Sequence, residues 1–421
     1  MKHSVQFDVC VVGAGPAGQA AALCLARHAP RVALVGPPPT ARDNRTAALF
    51  AGSVQLLRNL GLWQAGHEDG EPLQAIRIVD DMGRLLRAPE VTFRATDVGL
   101  ESFGYNVPNI RLVEAFRARA ALDPRITTFE NATLTNLELG ADGAQLNLSD
   151  GTEIAASLVV GADGRNSSCR RAAGIGTRTW RYEQSALTCT FTHGRAHGGV
   201  STEFHRTAGP FTVVPSPGLS SSLVWVDRPA IAKRLASLDE TAFRGALEAR
   251  LQGLLGTIGE IGPRALFPLT GLTADEAGAN RVALVGEAAH VIPPIGAQGL
   301  NLGLRDAAVL ADCVRDAIAS GASLGGAETL SAYARARRLD IASRAWSIDL
   351  LNRSLISGFL PVQLIRGLGL HALNAVAPLR RFAIREGLSP SFVTPELMRA
   401  PAASGSVSLD GPPLALASPQ P

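Results

Sequence analysis

The stretch FDVCVVGAGPAGQAAALCLARHAPRVALVG, residues 7–36, predicts the start of a doubly wound α/β fold. Its apolar run at residues 9–12 has the length of a buried strand, and the Ala/Leu run at residues 20–26 is typical of a helix. A second apolar run at residues 32–35 predicts another strand. A strand, a glycine-rich turn, a helix and a strand in this order indicate a parallel sheet covered by helices.

The turn of this unit carries Gly13, Gly15 and Gly18 in the spacing G-x-G-x-x-G. Glycines at these positions let the backbone approach a pyrophosphate, while the helix N-terminus offers N–H groups and a partial positive charge. Sites of this kind usually place an acidic residue after the second strand, where it binds a ribose. Gly36 holds that place here, and the next carboxylate is Asp43. The ribose contact is therefore lost or supplied from elsewhere.

The composition indicates a globular protein of more than one domain. The chain has 421 residues, 46% of them hydrophobic and 18% charged, and single cores stop growing at about 250–300 residues. The net charge of +3 is small, so no nucleic-acid partner is expected. Five cysteines without a CxxC pair argue against a disulfide framework. Because neither a signal peptide nor a membrane-spanning stretch is recognisable, we expect a cytoplasmic protein.

The pattern of the remaining chain changes several times. Helical spacing returns at residues 48–63, and a hairpin is predicted with its turn at residues 81–83. Period-two alternation between residues 126 and 160 predicts a three-stranded meander. The region 183–266 is strand-like, with one helical insert predicted at residues 240–255.

These patterns predict two domains that are each discontinuous in sequence, followed by helices. The doubly wound domain is expected over residues 1–72, 105–182 and 270–345, and an inserted β domain over residues 73–104 and 183–269. C-terminal helices are expected over residues 346–398, and the Pro/Ser/Ala-rich tail 399–421 is predicted to be disordered.

Two further segments carry glycines, prolines or helix-capping residues directly after a predicted strand. LVVGADGRNSSCRRAAGI, residues 158–175, ends a strand and begins a helix that either Asp163 or Ser167 can cap. GEAAHVIPPIGAQGLNLGLRDAA, residues 286–308, combines glycines that free the backbone, prolines that stiffen it and a helix that begins near Asn301. We interpret this second segment as the wall around a large, flat ligand with polar edges, faced by a helix N-terminus.

The ordered trio GAGPAG, GADGRNS and GEAAHVIPPIGAQGLNLGLRDA resembles the FAD-dependent aromatic hydroxylases, the class A flavoprotein monooxygenases. Within them, GAQGLNLGLRDAAVLA and RTAALFAGSVQLLRNLGLW are most similar to the ubiquinone-biosynthesis hydroxylases. The resemblance covers residues 5–390. It implies that the doubly wound domain is a Rossmann-like FAD-binding domain of the glutathione-reductase type. The inserted antiparallel β-sheet domain would bind the substrate, and a C-terminal helical region would follow.

The resemblance also implies roles for single residues. Arg45 would contact the FAD phosphates, and Asp163 would serve both FAD and NAD(P)H. Glu287 stands where the family has an aspartate that binds the ribityl hydroxyls. Pro293 and His290 are the catalytic candidates, with a purely structural histidine as the alternative for His290. The full set implied to bind FAD is Gly13, Gly15, Gly18, Arg45, Asn109, Arg111, Asp163, Glu287, Gly296, Gly299 and Asn301.

The implied reaction is a ring hydroxylation. NAD(P)H reduces FAD, and the reduced flavin and O2 form a C4a-hydroperoxide that transfers oxygen to a polyprenylated phenol of ubiquinone biosynthesis. A multi-enzyme ubiquinone-synthesis complex is a candidate partner. The reaction needs no metal, and His193, His197 and His205 lie in glycine-rich, strand-like sequence where helical stacking of ligands is not expected.

The C-terminal region alternates apolar residues with arginines such as Arg353, Arg380 and Arg381. It fits either a helical cap on the core or a basic, oily face that lies on the inner face of a membrane. Two other functions stay open. One is a related flavoprotein hydroxylase or reductase acting on another substrate, such as an isoprenoid double bond. The other is a non-catalytic subunit of a hydroxylase complex, which the departures at Gly36 and Glu287 would suit.

Overall fold

The computed structural model describes residues 4–37, 45–63, 70–83, 88–356, 360–388 and 394–401. Its strands in chain order are β1 (Val5–Val12), β2 (Val32–Val35), β3 (Thr46–Phe50), β4 (Glu71–Pro72), β5 (Ala75–Asp80), β6 (Val91–Arg94), β7 (Gly104–Pro108), β8 (Ile126–Phe129), β9 (Leu134–Leu139), β10 (Ala144–Leu148), β11 (Glu153–Gly161), β12 (Thr177–His193), β13 (Val200–His205), β14 (Phe211–Ser216), β15 (Ser220–Asp227), β16 (Ile258–Ile261), β17 (Ala265–Ala274), β18 (Gly278–Ala279), β19 (Val282–Leu284) and β20 (His290–Val291). Its helices are α1 (Pro16–Leu25), α2 (Ala51–Asn59), α3 (Asn109–Ala121), α4 (Ser168–Ala172), α5 (Pro229–Ser237), α6 (Glu240–Leu251), α7 (Gln298–Ser320), α8 (Ala327–Ile356), α9 (Leu360–Ala375) and α10 (Ala377–Leu388).

The first sheet is built around β1, which pairs in parallel with β2 on one side and β11 on the other. The strand order is β18-β19-β11-β1-β2-β8, with β10 and β9 attached to β11. Val9 and Val11 enter one buried cluster, while Cys10 and Val12 enter another on the opposite face. A central strand buried on both faces explains the continuous apolar run in its sequence. The predicted doubly wound fold and the β9–β10–β11 meander are confirmed.

The parallel register brings the three sequence motifs to one edge of this sheet. Val12 of β1 lies opposite Gly161 of β11, and Gly161 lies opposite Leu284 of β19. Each motif begins directly after one of these strands, so segments far apart in sequence become neighbours. Ligands of open α/β sheets bind outside the carboxyl ends of the strands.

The second sheet has the strand order β20-β17-β12-β15-β14-β13-β5-β6, with β16 attached to β12. It is antiparallel except that β13 pairs in parallel with β5. The segments 73–104 and 183–269, predicted as an inserted β domain, both contribute strands to it. The predicted boundaries at 182/183 and 269/270 fall inside β12 and β17, because both strands run on towards the first sheet.

Three local predictions differ from the structure. Residues 48–63 were predicted to be helical throughout, but residues 48–50 belong to β3, which pairs with β7. The helical insert predicted at residues 240–255 is present as α6, but a second helix, α5, precedes it; the two are separate because Leu238 is extended and the Asp239 carboxylate then accepts a hydrogen bond from the N–H of Ala242. The hairpin of β5 and β6 is present, but its connection is longer than a turn at residues 81–83, and residues 84–87 lie outside the described part.

The C-terminal region is helical. The predicted boundary at 345/346 falls inside α8, and α9 and α10 follow. The tail predicted to be disordered lies outside the described residues apart from 399–401. In the part of the chain that the structure describes, no helix combines the length and the apolar character needed to cross a bilayer.

Candidate active site

The three glycines of the glycine-rich turn have two different roles, close packing of the backbone and exposure of the backbone to a cavity. A Cβ at Gly13 would lie 2.2 Å from the carbonyl oxygen of Ala162, and a Cβ at Gly18 would lie 1.8 Å from the carbonyl oxygen of Gly13. A Cβ at Gly15 would have nothing within 4 Å, and Gly15 lines a large cavity. Gly13 and Gly18 therefore let the turn pack on β11, whereas Gly15 leaves the cavity wall bare.

Helix α1 presents an open N-terminus to this cavity. It begins at Pro16 without a side-chain cap and without an acidic residue in its first turn. Its first N–H groups therefore have no helical partner and carry the positive end of the helix dipole. Such a terminus next to a bare glycine is suited to bind a phosphate group.

Gly36 does not have room for the missing acid. Its φ is +135°, a backbone conformation that other L-residues rarely adopt, and a Cβ there would lie 3.2 Å from the backbone nitrogen of Ala14. Gly36 lines a small side cavity of about 30 Å³ together with Glu130, which follows β8. The Glu130 carboxylate is held by Arg117 at 3.0 Å. A carboxylate is thus present beside the predicted ribose position, but it comes from the neighbouring strand.

In the second motif, both candidate capping residues cap α4. The Asp163 Oδ2 atom accepts hydrogen bonds from the N–H groups of Ser168 at 2.7 Å and Cys169 at 3.1 Å. The Ser167 hydroxyl accepts from the N–H of Arg170 at 2.9 Å. The Asp163 Oδ1 atom is buried and has no hydrogen-bond partner. Its implied role towards FAD and NAD(P)H stays a prediction.

The third motif forms the opposite wall of the cavity and ends in a second open helix N-terminus. Gly296 and Ala297 both have positive φ, at 67° and 52°, and α7 begins directly after them without a side-chain cap. Gly299 and Pro294 line the cavity. Backbone strain at a non-glycine residue such as Ala297 is common at ligand sites.

Asn301 holds the start of α7 through its side chain. Its amide nitrogen donates to the carbonyl oxygens of Ala48 and Ala297, both at 2.8 Å. Its amide oxygen accepts from the N–H of Phe50 and the hydroxyl of Ser53. Both amide groups are thus occupied by the protein, so a contact of Asn301 with FAD would have to come from its backbone.

Asp306 joins the third motif to α8 and was not identified from the sequence. It is fully buried, and its carboxylate accepts from the Gly286 N–H at 2.9 Å, His290 Nε2 at 2.7 Å and Arg337 Nε at 2.7 Å. Burial alone would raise the pKa of Asp306, but the adjacent His290 and Arg337 outweigh it and lower this pKa to about 2. Arg337 is bound in turn by Asp340 at 2.7 Å. This buried network fixes both ends of the segment that carries Glu287.

The two catalytic candidates are both buried, and their role stays a prediction. His290 lines the cavity, and its Nε2 atom bonds Asp306 at 2.7 Å, while its Nδ1 atom is buried without a hydrogen-bond partner. Pro293 is buried, whereas its neighbours Ile292 and Pro294 line the cavity. The geometry therefore shows a structural bond for His290 and does not place the Pro293 ring on the wall.

The remaining candidates lie at the rim or outside the cavity. Arg45 is exposed, lines the cavity and stacks over the ring of Phe267 at 5.2 Å. Asn109 lines the cavity at the start of α3. Arg111 lies outside that lining and pairs with Glu114 at 3.5 Å. Glu287 lines the cavity with a side chain that is 58% exposed, so its extra methylene has room.

The histidines of the second sheet are engaged in structural hydrogen bonds. His193 bonds Ser221 at 2.9 Å, and His197 contacts the carbonyl oxygens of Ser216 and Gly218. Among the described residues, no group of three or more His, Cys, Asp or Glu side chains could hold a metal ion.

The cavity has a volume of about 620 Å³ and runs from the glycine-rich turn to the face of the second sheet. The sheet face contributes alternating residues of β13 and β14 together with neighbouring residues of β12 and β15, namely Ser201, Glu203, Thr212, Val214, Thr188, Cys189, Ser222, Leu223 and Val224. The sequence analysis missed these residues, although the period-two spacing of those on β13 and β14 is visible in it. An open groove of about 710 Å³ between α8 and the β12–β17 pair contains none of the three motifs.

This arrangement fits FAD. The dinucleotide needs a bare backbone and helix N-termini for its pyrophosphate, which Gly15 and α1 supply. Its flat ring needs a slot between rigid walls, which the α7 segment and the second sheet supply. A flat ring bound in this slot would lie at the junction of the two sheets.

Comparisons with known proteins agree with this assignment. The model of the FAD binding domain family matches residues 6–346. The protein named ubiquinone hydroxylase UbiL from Rhodospirillum rubrum is 36% identical over 395 residues, covering 92% of this chain and 91% of its own length. The 3-demethoxyubiquinol 3-hydroxylase of Escherichia coli is 31% identical over 392 residues, covering 90% of this chain and 98% of its own length.

The fold is also that of a solved monooxygenase. The crystal structure of p-nitrophenol 4-monooxygenase PnpA from Pseudomonas putida matches with a TM-score of 0.75 and 18% identity, covering 92% of this chain and 100% of that one. Motifs, cavity and relatives together show that the chain belongs to the FAD-dependent aromatic hydroxylases, in the group of the ubiquinone-biosynthesis hydroxylases.

Proposed function

We propose that this enzyme hydroxylates the aromatic ring of a polyprenylated phenol in ubiquinone biosynthesis, using FAD, NAD(P)H and O2. The observation that carries the proposal is the continuous cavity that joins the FAD-binding turns to a face of the second sheet. That face mixes apolar side chains with hydroxyls and one carboxylate, as a ring with a polar substituent requires. The relatives named as ubiquinone hydroxylases match almost the whole chain.

The chain's own residues bind FAD, orient its ring system and exclude water from the reacting ring. Gly15 and the N-terminus of α1 hold the pyrophosphate, and the segment after Pro294 lies along the ring system. Bound FAD supplies the redox chemistry, accepting a hydride from NAD(P)H and activating O2. The apolar residues Leu73, Ile76 and Val214 of the cavity wall exclude water from the reacting ring.

The test is a substrate-stimulated oxidation with product analysis. Purified protein is reconstituted with FAD, its flavin content per chain is measured, and NAD(P)H oxidation is followed with a short-chain prenylated phenol. We expect near-stoichiometric FAD, faster oxidation with the phenol and a product that gains one oxygen atom. Failure to hold FAD would favour a non-catalytic subunit, and reduction of a double bond without ring oxygenation would favour a reductase.

Glu130 is expected to supply the ribose contact that Gly36 cannot. Replacing Glu130 with Gln should raise the dissociation constant of FAD about tenfold, because a hydrogen bond to a charged group contributes about 1.5–3 kcal/mol. Titration of the apoprotein with FAD, followed by flavin fluorescence, measures this. The control is Glu138→Gln on β9, an exposed carboxylate away from the cavities. Equal affinities of both variants and the wild type would contradict the assignment.

The C-terminal helices offer a surface that fits a membrane interface. Exposed large apolar residues on α8, α9 and α10 include Leu339, Trp346, Leu350, Leu368, Leu379 and Phe382. A polyprenyl tail partitions into the bilayer, so an apolar face bordered by arginines would let the enzyme take its substrate from there. We propose that the enzyme lies at the cytoplasmic face of the membrane. We also propose that it associates there with other enzymes of ubiquinone biosynthesis.

Removing two of these apolar side chains should weaken membrane binding. Leu368 and Phe382 are 68% and 61% exposed, and burying such a side chain contributes about 1.5–3 kcal/mol. We expect the double variant Leu368→Ser/Phe382→Ser to bind anionic lipid vesicles at least tenfold more weakly in a flotation assay. The matched control is Leu122→Ser, because Leu122 is 62% exposed just after α3. If the control lost as much binding as the double variant, the helices would not be the contact.

A further inference from the structure

The ring-binding part of the cavity contains a carboxylate that the sequence analysis did not assign. Glu203 lies on β13, and its side chain is only 14% exposed although it lines the cavity. Ser201 and His205, two residues before and after it, are buried. Successive residues of a strand point to opposite faces, so Ser201, Glu203 and His205 share one face.

Glu203 is held by two neighbours. The His205 Nε2–H donates to Oε1 at 2.8 Å, and the Thr212 hydroxyl donates to Oε2 over a longer distance of 3.4 Å. His205 is buried, with a side chain that is 3% exposed. A carboxylate oxygen offers two lone pairs, so Oε2 can accept a further, shorter hydrogen bond from a ligand in the cavity.

The other ionisable groups on the described wall do not provide a base next to the ring. Burial raises the pKa of the Cys189 thiol to about 12, so the thiol keeps its proton at neutral pH. The Nε2 atom of His290 is bound to Asp306 and its Nδ1 atom is buried, so neither ring nitrogen is open to a ligand; Arg45 is a cation. Glu287 stands on the turn after β19, at the first-sheet edge of the cavity, and is 58% exposed beside Arg165.

We propose that Glu203 is the catalytic base that accepts the phenol proton during ring hydroxylation, with His205 holding its carboxylate in place. This inference rests on the proposed function. The O–H bond of the phenol breaks, its proton moves to Oε2 of Glu203, and its electron pair flows into the ring. The ring carbon uses that electron density to bond one oxygen atom of the O2 that FAD reduced by NAD(P)H would activate, and the O–O bond breaks so that the second oxygen atom leaves as water. The hydrogen on that ring carbon then leaves as a proton, which restores the aromatic ring. The step changes no oxidation state of the protein.

The acidity of the phenol determines when the proton moves. A free phenol has a pKa of about 10 and a carboxylic acid one of about 4, so little proton transfer occurs before oxygen attacks. As the ring bonds oxygen, positive charge develops on the phenol group and its proton becomes far more acidic than a carboxylic acid. Glu203 then acts as a general base in the transition state, where such groups contribute about 10²–10⁴-fold.

The experiment compares two phenols in the wild type and three variants. The first probe is a short-chain prenylated phenol, which is un-ionised at the assay pH. The second is an analogue with several ring fluorines and one ring position free for hydroxylation, whose hydroxyl is already ionised at that pH. Product formation per bound FAD is measured for wild type, Glu203→Gln and Glu203→Asp. The control Glu260→Gln removes an exposed carboxylate of β16 that does not line the cavity.

We expect Glu203→Gln to lower product formation from the un-ionised phenol about 100-fold and to have a much smaller effect on the ionised analogue. Glu203→Asp should show the same difference between the phenols in weaker form, so the result does not depend on one variant folding. Glu260→Gln should match the wild type. Equal losses on both phenols, or no loss, would overturn the assignment of Glu203. A wild type that oxygenates neither phenol would overturn the proposed function and this inference with it.

Discussion

Replacing Asp306 with asparagine is expected to lower the free energy of unfolding by about 3 kcal/mol or more. The change leaves the buried Arg337 with one counter-charge fewer, and breaking a buried ion pair by removing one partner costs about 3–5 kcal/mol. Asp306 also fixes the Gly286 N–H and the His290 ring. We therefore expect weaker FAD binding as well, since both ends of the Glu287 segment lose their anchor.

Urea denaturation of the FAD-free protein and FAD titration measure the two effects separately. The matched control is Asp316→Asn on the same helix, where the carboxylate is 69% exposed and pairs with Arg315 at 2.8 Å. An exposed pair contributes about 0–1 kcal/mol, so the control should differ little from the wild type. Similar stability losses in both variants would show that the buried network does not stabilise the fold as argued.

The stability that the Asp306 carboxylate contributes is expected to depend on pH. Its pKa of about 2 in the folded state lies below the value of about 3.9 expected in the unfolded chain. A group with a lowered folded pKa contributes stability above its unfolded pKa, and that contribution disappears as the pH falls through the folded pKa. The stability difference between wild type and Asp306→Asn should therefore be complete at pH 7 and shrink between about pH 4 and pH 2.

The local chemistry of the FAD-binding turns could be predicted from the sequence. Glycine spacing after an apolar run identifies a strand–turn–helix unit without knowledge of the rest of the chain. The capping alternatives at Asp163 and Ser167 were both correct, since each accepts a backbone N–H of the following helix. Such contacts lie within a few residues, so the sequence pattern contains both partners.

The long-range contacts could not be predicted in this way. Asn301 was expected to touch FAD, yet its side chain bonds β3 and α2, about 250 residues away. Asp306 is a charged residue in a helical pattern, which by itself predicts exposure. Its burial is explained by its bond to Arg337 of α8, a partner that the local sequence does not contain. Glu203 has the alternation of a strand, but which face meets the cavity depends on how β13 pairs with β5 and β14.

Substitutions at two glycines of the first turn should separate an effect on packing from an effect on ligand binding. Gly18→Ala is expected to destabilise the turn and abolish FAD binding, because the new Cβ would lie 1.8 Å from the Gly13 carbonyl oxygen. At Gly15, φ is −70° and a Cβ meets nothing within 4 Å. Gly15→Ala should therefore fold with a stability within about 0.5 kcal/mol of the wild type.

FAD affinity should nevertheless fall about 100-fold in Gly15→Ala. The added methyl group enters the cavity where the pyrophosphate approaches the backbone, and losing hydrogen bonds to a charged group there costs about 3 kcal/mol. Thermal unfolding of the FAD-free variants and flavin fluorescence titration distinguish the two substitutions. A stable Gly15→Ala protein that binds FAD as tightly as the wild type would mean that the pyrophosphate does not lie on this turn. The open N-terminus of α7 would then become the candidate for its phosphates.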